Sequence, residues 1–305
     1  MKVYDCFTFF NELELLELRL ESYYDIVDCF VIVEADKTHA NLPKPFNFLE
    51  NIDRYQKFLP KIRYIMDTSV VPYAGADDWS IENNQRNNIM KGLDDAEPDD
   101  LVLISDVDEF PDPAILKTLI ESFYDPSKDV DCFVYHDTAP FTTAVTRYLI
   151  FNSSTRINSC LGLTPVVFQQ RFFTYFFDLV SPQSLWGGTV IGKFKHISSP
   201  QEIRDIGKDL PRIANGGWHF SSMGGVDKFL EKARSGTDFK KISAVDKRYL
   251  DKDFLFNAMM NGEYLFGRGI QFVPCDVSEI KLPTLDAFLK KYPQFLRANY
   301  SSADR

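Results

Sequence analysis

The sequence predicts an α/β fold organised around a Rossmann-like parallel sheet, and three observations support this class. Short apolar runs that suit strands buried on both faces of a sheet recur through the first 136 residues. Segments with helix caps or with helical spacing of leucines alternate with these runs. The resulting order, β-α-β-loop-β-α-β-α-β, is typical of a Rossmann-like sheet whose strands are connected through helices.

Five strands are predicted in this first part of the chain. They cover residues 3–7, 29–34, 62–66, 101–104 and 130–135. A stretch with two prolines lies between the second and the third strand and is expected to form a loop. The fourth strand ends in an acidic segment that is followed by prolines, which prevent the strand from continuing.

Capping residues and apolar spacing predict the helices between these strands. Asn11 can cap a helix that continues to Tyr24 with leucines along one face. Residues 80–93 also look helical, although several amide side chains, which are poor helix formers, lie in the middle. We expect a helix that keeps these amides to use them in hydrogen bonds. Asp112 caps a further helix that has Pro113 at its first position.

The second half of the chain is less regular and is rich in Phe, Tyr and Gly. Residues 226–234, 245–261 and 284–297 look like closing helices. Because no linker composition marks the midpoint, we predict a single domain over residues 1–305. Its sheet-forming half covers about residues 1–136, and its irregular half covers about residues 137–305.

Composition limits the class of partner and the compartment. The formal net charge of −10 without a basic stripe argues against a nucleic-acid partner, whose phosphates require clustered Lys and Arg. The sequence contains no membrane span and no targeting segment, so we expect a soluble protein in the cytoplasm. The five cysteines form no Cys-x-x-Cys pair, which favours reduced, buried thiols over disulfides or zinc.

The strongest functional signal is the Asp-x-Asp pair that follows the fourth strand. In open α/β sheets, ligands bind at the carboxyl ends of the strands. Asp106 and Asp108 at that position can hold a hard divalent cation and leave part of its coordination shell open to a phosphorylated ligand. A calcium-binding helix–loop–helix is excluded, because the sixth and twelfth positions counted from Asp106 are Pro111 and Lys117 rather than Gly and Glu.

Two alternative functions stay open at this point. A phosphatase or phosphotransferase of the aspartyl-phosphate type also carries Asp-x-Asp after a buried strand and would use Asp106 as its nucleophile. A carbohydrate-binding protein without catalytic activity would explain the surplus of aromatic residues, which make up 14% of the chain. It would not explain an Asp-x-Asp at a strand end.

Four motifs in a fixed order resemble a known family. They are Phe-Asn-Glu-Leu-Glu-Leu-Leu-Glu at residues 10–17, Val-Ile-Val-Glu-Ala at 31–35, Ser-Asp-Val-Asp-Glu-Phe-Pro at 105–111 and Gly-Trp-His-Phe-Ser at 217–221. Together they resemble glycosyltransferase family 17, the β-1,4-mannosyl-glycoprotein 4-β-N-acetylglucosaminyltransferase-like family. The resemblance extends from about residue 3 to about residue 265.

This resemblance implies a GT-A-type fold and sugar transfer with inversion at the anomeric carbon. The implied partners are a nucleotide-sugar donor, in the first place a UDP-sugar such as UDP-GlcNAc, and the hydroxyl of a glycan or glycoconjugate acceptor. The sheet-forming half then binds the nucleotide sugar, and the irregular half binds the acceptor. A divalent metal is also implied, and Mn²⁺ or Mg²⁺ would stabilise the negative charge that develops on the leaving diphosphate.

Several residues are the candidates for these roles. We expect Asp108 to bind the metal directly and Asp106 to bind the metal shell or the donor ribose. His219, in the Gly-Trp-His context of the family motif, is the candidate third ligand. Glu34 at the end of the second strand and Arg86 in the amide-rich helix are expected to bind the donor.

The acceptor side is less well defined by the sequence. Trp186 and Trp218 are predicted to stack on sugar rings, because aromatic faces pack against the apolar faces of pyranoses. Inverting transfer also needs a carboxylate base. Asp238, in a stretch where family members often show Thr-Glu-Phe, is the candidate, and Asp137, Asp178 and Asp205 are the alternatives.

Overall fold

The structure is a computed structural model and describes residues 1–75, 77–125, 127, 131–133, 154–156, 161–235, 246–266 and 269–301. The described part is a mixed α/β fold with a large central sheet of eleven strands. The strands are β1 (Val3–Phe9), β2 (Cys29–Ala35), β3 (Ile62–Asp67), β4 (Leu101–Asp106), β5 (Glu109–Pro111), β6 (Asp131–Phe133), β7 (Ser154–Arg156), β8 (Val166–Thr174), β9 (Leu179–Lys193), β10 (Arg212–Ser221) and β11 (Val273–Pro274). The predicted α/β class is confirmed.

The first four strands form the parallel part of the sheet in the order β3-β2-β1-β4. Their burial fits the prediction, since β1 is buried at every position and β2 at all but the first. The register places Thr8 beside Asp106 and Phe9 beside Glu34. The carboxyl ends of β1, β2 and β4 therefore meet at one edge of the sheet, as predicted.

The sheet continues on the other side of β4 with strands from the second half of the chain. β9 pairs antiparallel with β4 and with β8, and β10 pairs parallel with β8. The short β5 pairs antiparallel with β10, which sets His219 opposite Glu109. One sheet thus takes strands from both sides of residue 136, while the predicted domain bounds remain a prediction.

The described α-helices connect the strands and close the fold. They are α1 (Leu13–Tyr23), α2 (Asn47–Glu50), α3 (Ser80–Asn87), α4 (Pro113–Ser122), α5 (Pro200–Asp205), α6 (Gly225–Ser235), α7 (Lys252–Met260) and α8 (Leu285–Lys291). Short 3-10 helices cover Ile52–Lys61, Asn88–Gly92, Phe194–His196, Ile206–Asp209, Lys247–Leu250, Val277–Glu279, Pro293–Phe295 and Arg297–Asn299.

Two helix starts show where capping residues were read correctly and where they were not. The side chain of Asp112 accepts hydrogen bonds from the amides of Ala114 and Ile115, as the predicted cap of α4. The predicted cap of α1 was wrong, because α1 begins after Glu12 and has no side-chain cap. Instead, the Glu12 carboxylate turns back and accepts hydrogen bonds from the two preceding amides.

A buried arginine on α1 positions the acidic segment after β4. The Arg19 guanidinium pairs with Asp5 on β1 at 2.6 and 2.8 Å and donates to the Ser105 hydroxyl at 2.7 Å. It also donates to the backbone carbonyl of Glu109 at 2.6 Å. Because the charge is fully buried and paired, these bonds fix α1, β1 and the turn between β4 and β5 relative to one another.

The remaining sequence expectations concern membranes and thiols. Among the described helices, none is both long enough and apolar enough to cross a bilayer. The predicted cytoplasmic location stays a prediction. Cys6, Cys29 and Cys275 are free thiols, and burial raises the pKa of the Cys6 thiol well above its usual value.

Candidate active site

A cavity of about 240 Å³ opens at the edge where β1, β2 and β4 end. Its wall includes Thr8, Asp106 and Asp108 from the parallel strands and the turn after them. His219 from β10 and Lys232 from α6 also line it. We call this space the main cavity. It lies where ligands bind in open α/β sheets.

Asp106 is held by three donors, two of which are arginines. Thr8 Oγ1 and Arg86 Nη2 donate to its Oδ1, each at 3.0 Å, and Arg204 Nη2 lies 3.4 Å from its Oδ2. Burial by itself would raise the pKa of Asp106, but the two guanidinium groups outweigh it and hold that pKa well below its usual range. Asp106 is therefore ionised and fixed in direction.

Asp108 contacts a different cation. Lys232 Nζ donates to its Oδ2 at 3.1 Å, and its Oδ1 lies 3.5 Å from Nε2 of His219. Burial would raise the pKa of Asp108, but Lys232 and His219 outweigh it and lower the value to about 2. The two carboxylates of the Asp-x-Asp thus face different cations, the first two arginines and the second a lysine.

His219 is buried, with 6% of its surface exposed. Its ring stacks on Phe172 with a centroid distance of 5.1 Å and on Trp186 with a centroid distance of 4.5 Å. Its Nδ1 is buried and has no hydrogen-bond partner among the described residues. The aromatic contacts hold the ring so that Nε2 faces the Asp108 carboxylate.

The structure brings in Glu109 and Arg204, which the sequence analysis did not single out. The fully buried Glu109 carboxylate receives both guanidinium nitrogens of Arg204, at 2.7 and 2.8 Å, and the indole N–H of Trp186 at 2.7 Å. Glu109 directly follows the Asp-x-Asp in the sequence, and this position could have indicated that it belongs to the site. Arg204 lies on α5, 95 residues away, and no local pattern marks it.

Two of the residues predicted to bind the donor, Glu34 and Arg86, do not line the main cavity. Glu34 is fully buried, and its oxygens accept hydrogen bonds from Lys44, Tyr64 and the backbone amides of Asn47 and Phe48. It therefore holds the start of α2 and positions Lys44, which itself lines the main cavity. Arg86 is also buried and contacts Asp106. Both roles in donor binding stay predictions. In this structure Glu34 and Arg86 reach the cavity only through the residues that they hold, Lys44 and Asp106.

The residues predicted for the acceptor side lie in different surroundings. Trp218 is 4% exposed and packs in the main hydrophobic core, so this structure leaves no face of its ring to stack on a sugar. The reason is strand alternation, which turns Trp218 away from the cavity because His219 faces it. Trp186 is half-buried beside His219, and its predicted role is untested. Asp238 and its neighbours at 236–245 lie outside the described residues.

The predicted metal ligands come together only in part. Within the described ranges, no group of three or more His, Cys, Asp or Glu side chains is arranged to hold a metal ion. Asp108 Oδ1 and His219 Nε2 face each other at 3.5 Å, a carboxylate and an imidazole that suit Mn²⁺ chemically. Asp106 is turned towards Arg86 and Arg204 instead. Two of the three predicted ligands therefore lie close together, and the metal site stays a prediction.

Comparison with known proteins supports the resemblance for the part of the chain that carries the Asp-x-Asp. The model of glycosyltransferase family 17 matches residues 1–125. The chain is also similar to the beta-1,4-mannosyl-glycoprotein 4-beta-N-acetylglucosaminyltransferases of Homo sapiens and Rattus norvegicus, each 27% identical over 124 residues, and to that of Mus musculus, 26% identical.

These matches are partial in both directions. Each covers 38% of this chain and 23% of the relative, so the chain matches less than a quarter of the length of these curated proteins. They confirm the predicted resemblance to family 17 over residues 1–125. His219 and Lys232 lie beyond the matched segment.

Proposed function

We propose that this chain is an inverting glycosyltransferase with a GT-A-type fold that transfers a sugar from a nucleoside diphosphate sugar to a glycan or glycoconjugate hydroxyl. One observation carries the proposal. The Asp-x-Asp of the segment that matches family 17 lies on the main cavity, at the edge of the sheet where three parallel strands end. That edge is where α/β sheets bind nucleotides.

The charges around the main cavity suit a diphosphate group. Lys37, Lys44 and Lys232 line it, and the ammonium of Lys44 is positioned by the buried carboxylate of Glu34. Cations at a phosphate-binding site stabilise the negative charge that the leaving diphosphate gains in the transition state. The buried Arg86 and Arg204 keep Asp106 ionised at the cavity wall.

Asp108 and His219 are the residues that would hold a divalent metal, Mn²⁺ or Mg²⁺. When bound, such an ion neutralises charge on the diphosphate oxygens. His219 would coordinate through Nε2 as the neutral imidazole, and its stacking on Phe172 and Trp186 limits rotation of the ring. Lys232 would then share Asp108 with the ion, because it contacts the other carboxylate oxygen.

The donor is proposed from the relatives, which are N-acetylglucosaminyltransferases. A UDP-sugar, with UDP-GlcNAc as the first candidate, is therefore the expected donor. Trp186, whose half-buried ring lies next to His219, remains the proposed residue for stacking on an acceptor sugar.

Thermal-shift measurements with UDP-, GDP- and CMP-sugars, each with and without Mn²⁺, test the proposal. We expect the melting temperature to rise most with a UDP-sugar and Mn²⁺ together, because a ligand that binds only the folded state stabilises it. The matched control is Asp108→Asn, which keeps the shape of the side chain and should lose this rise. An equal rise with free sugars alone would contradict the proposal and favour a carbohydrate-binding protein.

The phosphatase alternative has its own measurement. A phosphatase that used Asp106 as nucleophile would form a covalent phospho-enzyme, bind fluoroberyllate and hydrolyse a generic aryl phosphate. We expect neither, because the oxygens of Asp106 are already engaged by Thr8, Arg86 and Arg204. Turnover of the aryl phosphate that disappears in Asp106→Asn would replace the proposed transfer with this alternative.

A further inference from the structure

Glu12 lies where two cavities meet. It lines the main cavity and also a small cavity of about 20 Å³, which we define by Asn11, Glu12, Asp108 and Lys232. We propose that Glu12 is the general base that accepts the proton of the acceptor hydroxyl. This assignment rests on the proposed glycosyl transfer and adds the residue that the sequence did not identify.

The backbone before α1 holds the Glu12 carboxylate in place through one oxygen. Glu12 Oε2 accepts hydrogen bonds from the amides of Phe10 at 3.3 Å and Asn11 at 3.1 Å. The side chain is largely buried, with 15% of its surface exposed. One oxygen is thereby fixed, and the other, Oε1, is left for a different partner.

Comparison with the other carboxylates of the main cavity singles out Glu12. Asp106 has both oxygens paired with arginines, and Asp108 has one oxygen hydrogen-bonded to Lys232 and the other 3.5 Å from His219 Nε2. Glu82 pairs with Arg86 through one oxygen and with His39 through the other. Glu12 Oε1 forms an ion pair with Lys232 Nζ at 3.6 Å, which is beyond hydrogen-bonding distance. Glu12 Oε1 therefore keeps lone pairs that can accept a proton.

Lys232 links Glu12 Oε1 to Asp108, which lines the cavity proposed to bind the donor. Its ammonium lies between Glu12 and Asp108, 3.6 Å from the former and 3.1 Å from the latter. A base in an inverting transfer must stand close to the donor but on the side from which the acceptor attacks. Glu12 meets the first requirement because it lines the main cavity and its ion pair with Lys232 joins it to Asp108.

Asn11, which lines the small cavity, carries a polar group that lacks a partner among the described residues. Asn11 is 5% exposed, and its Nδ2 is buried without a hydrogen-bond acceptor among the described residues. A buried N–H group without a partner costs free energy, so such a group is expected to bind a ligand or a water molecule. An acceptor hydroxyl oxygen beside Glu12 would satisfy it.

The step then balances as a single displacement. The acceptor oxygen forms a bond to the anomeric carbon while its proton moves to Glu12 Oε1. The bond between the anomeric carbon and the phosphate oxygen breaks, and its electron pair leaves with the nucleoside diphosphate. The configuration at the anomeric carbon inverts, and Glu12 returns its proton to solvent.

The test uses the full chain and UDP-GlcNAc, with water as the acceptor, and measures release of UDP. Glu12→Gln keeps an oxygen for the amides of Phe10 and Asn11 but cannot take a proton. We expect UDP release to fall about 100- to 10,000-fold, the range typical of general base catalysis. Binding of UDP in the presence of Mn²⁺, measured by calorimetry, should change less than about threefold. Glu12→Asp keeps the acid one methylene further back and should fall between the two.

Two further variants complete the experiment. Glu21→Gln makes the same change on α1 at an exposed ion pair with Lys57, away from both cavities, and should release UDP at the wild-type rate. Asp238→Asn tests the base predicted from the sequence. A Glu12→Gln rate within about tenfold of wild type, or a large loss in Asp238→Asn alone, would overturn the assignment of Glu12. A folded wild-type chain that releases no UDP would instead overturn the proposed function itself.

Discussion

Removal of the Arg204 side chain should destabilise the protein far more than its position on a short helix indicates. Arg204 supplies two of the bonds to the fully buried carboxylate of Glu109. In Arg204→Met, that carboxylate keeps the indole of Trp186 and the amide of Asp106 but loses its counter-charge. Breaking a buried ion pair by removing one partner costs about 3–5 kcal/mol, because the remaining charge is left uncompensated.

The loss of stability in Arg204→Met can be measured by urea unfolding and by thermal melting. For a chain of this length, 1 kcal/mol corresponds to about 2 °C, so the melting temperature of Arg204→Met should fall by roughly 6–10 °C. Arg248→Met is the control, because Arg248 pairs with Asp246 at an exposed site, and its melting temperature should stay at the wild-type value.

A double variant separates lost charge from lost packing. Glu109→Gln in the Arg204→Met background removes the uncompensated charge and should recover a large part of the lost stability. The account of a buried charge pair would be refuted if the stability losses of the two single variants simply add in the double variant. It would also be refuted if Arg204→Met is as stable as wild type.

Three further predictions follow from the contacts of the Asp-x-Asp and of β10. The pKa of Asp108 is lowered to about 2 in the folded protein, so its ion pair with Lys232 stabilises the fold above the unfolded-state pKa of about 4 and is lost as the pH falls from about 4 towards 2. Asp108→Asn should therefore lose about 2 kcal/mol in urea unfolding at pH 7, and the difference from wild type should shrink across that window; a difference that persists unchanged to pH 2 would contradict it. His219→Ala should weaken Mn²⁺ binding about 10–100-fold in calorimetry, because it removes a proposed ligand, and should also lower the melting temperature, because the buried ring leaves a cavity; unchanged Mn²⁺ affinity would remove His219 from the metal site. Trp218→Ala should cost about 3–5 kcal/mol in unfolding free energy without changing UDP binding, whereas a selective loss of acceptor binding would restore its predicted role.

The sequence identified the elements whose signals are local. The apolar runs that became β1, β2, β3 and β4 were recognisable because strands buried on both faces need continuous hydrophobic residues. The Asp-x-Asp could be assigned to a ligand-binding edge because strand ends in a parallel sheet share that edge. Asp112 was identified as a cap because its side chain bonds amides only two and three residues away.

Local patterns were less reliable where two residues could fill the same role. Asn11 and Glu12 both have side chains able to interact with backbone amides near the start of α1, and only the folded turn decides that Glu12 does so. Trp186 and Trp218 carried equal weight as sugar-stacking residues. Strand pairing turned Trp218 into the core and left Trp186 beside His219.

Only the tertiary structure decided which charges meet. Arg204 reaches Glu109 across 95 residues, and Lys232 reaches Asp108 across 124. Electrostatic interactions act through space and depend on distance and burial, so neither pairing leaves a periodic trace in the sequence. Sequence patterns therefore located the acidic pair, whereas the packing of α5, α6 and β10 around it determined its counter-charges and brought Glu12 to the boundary between the two cavities.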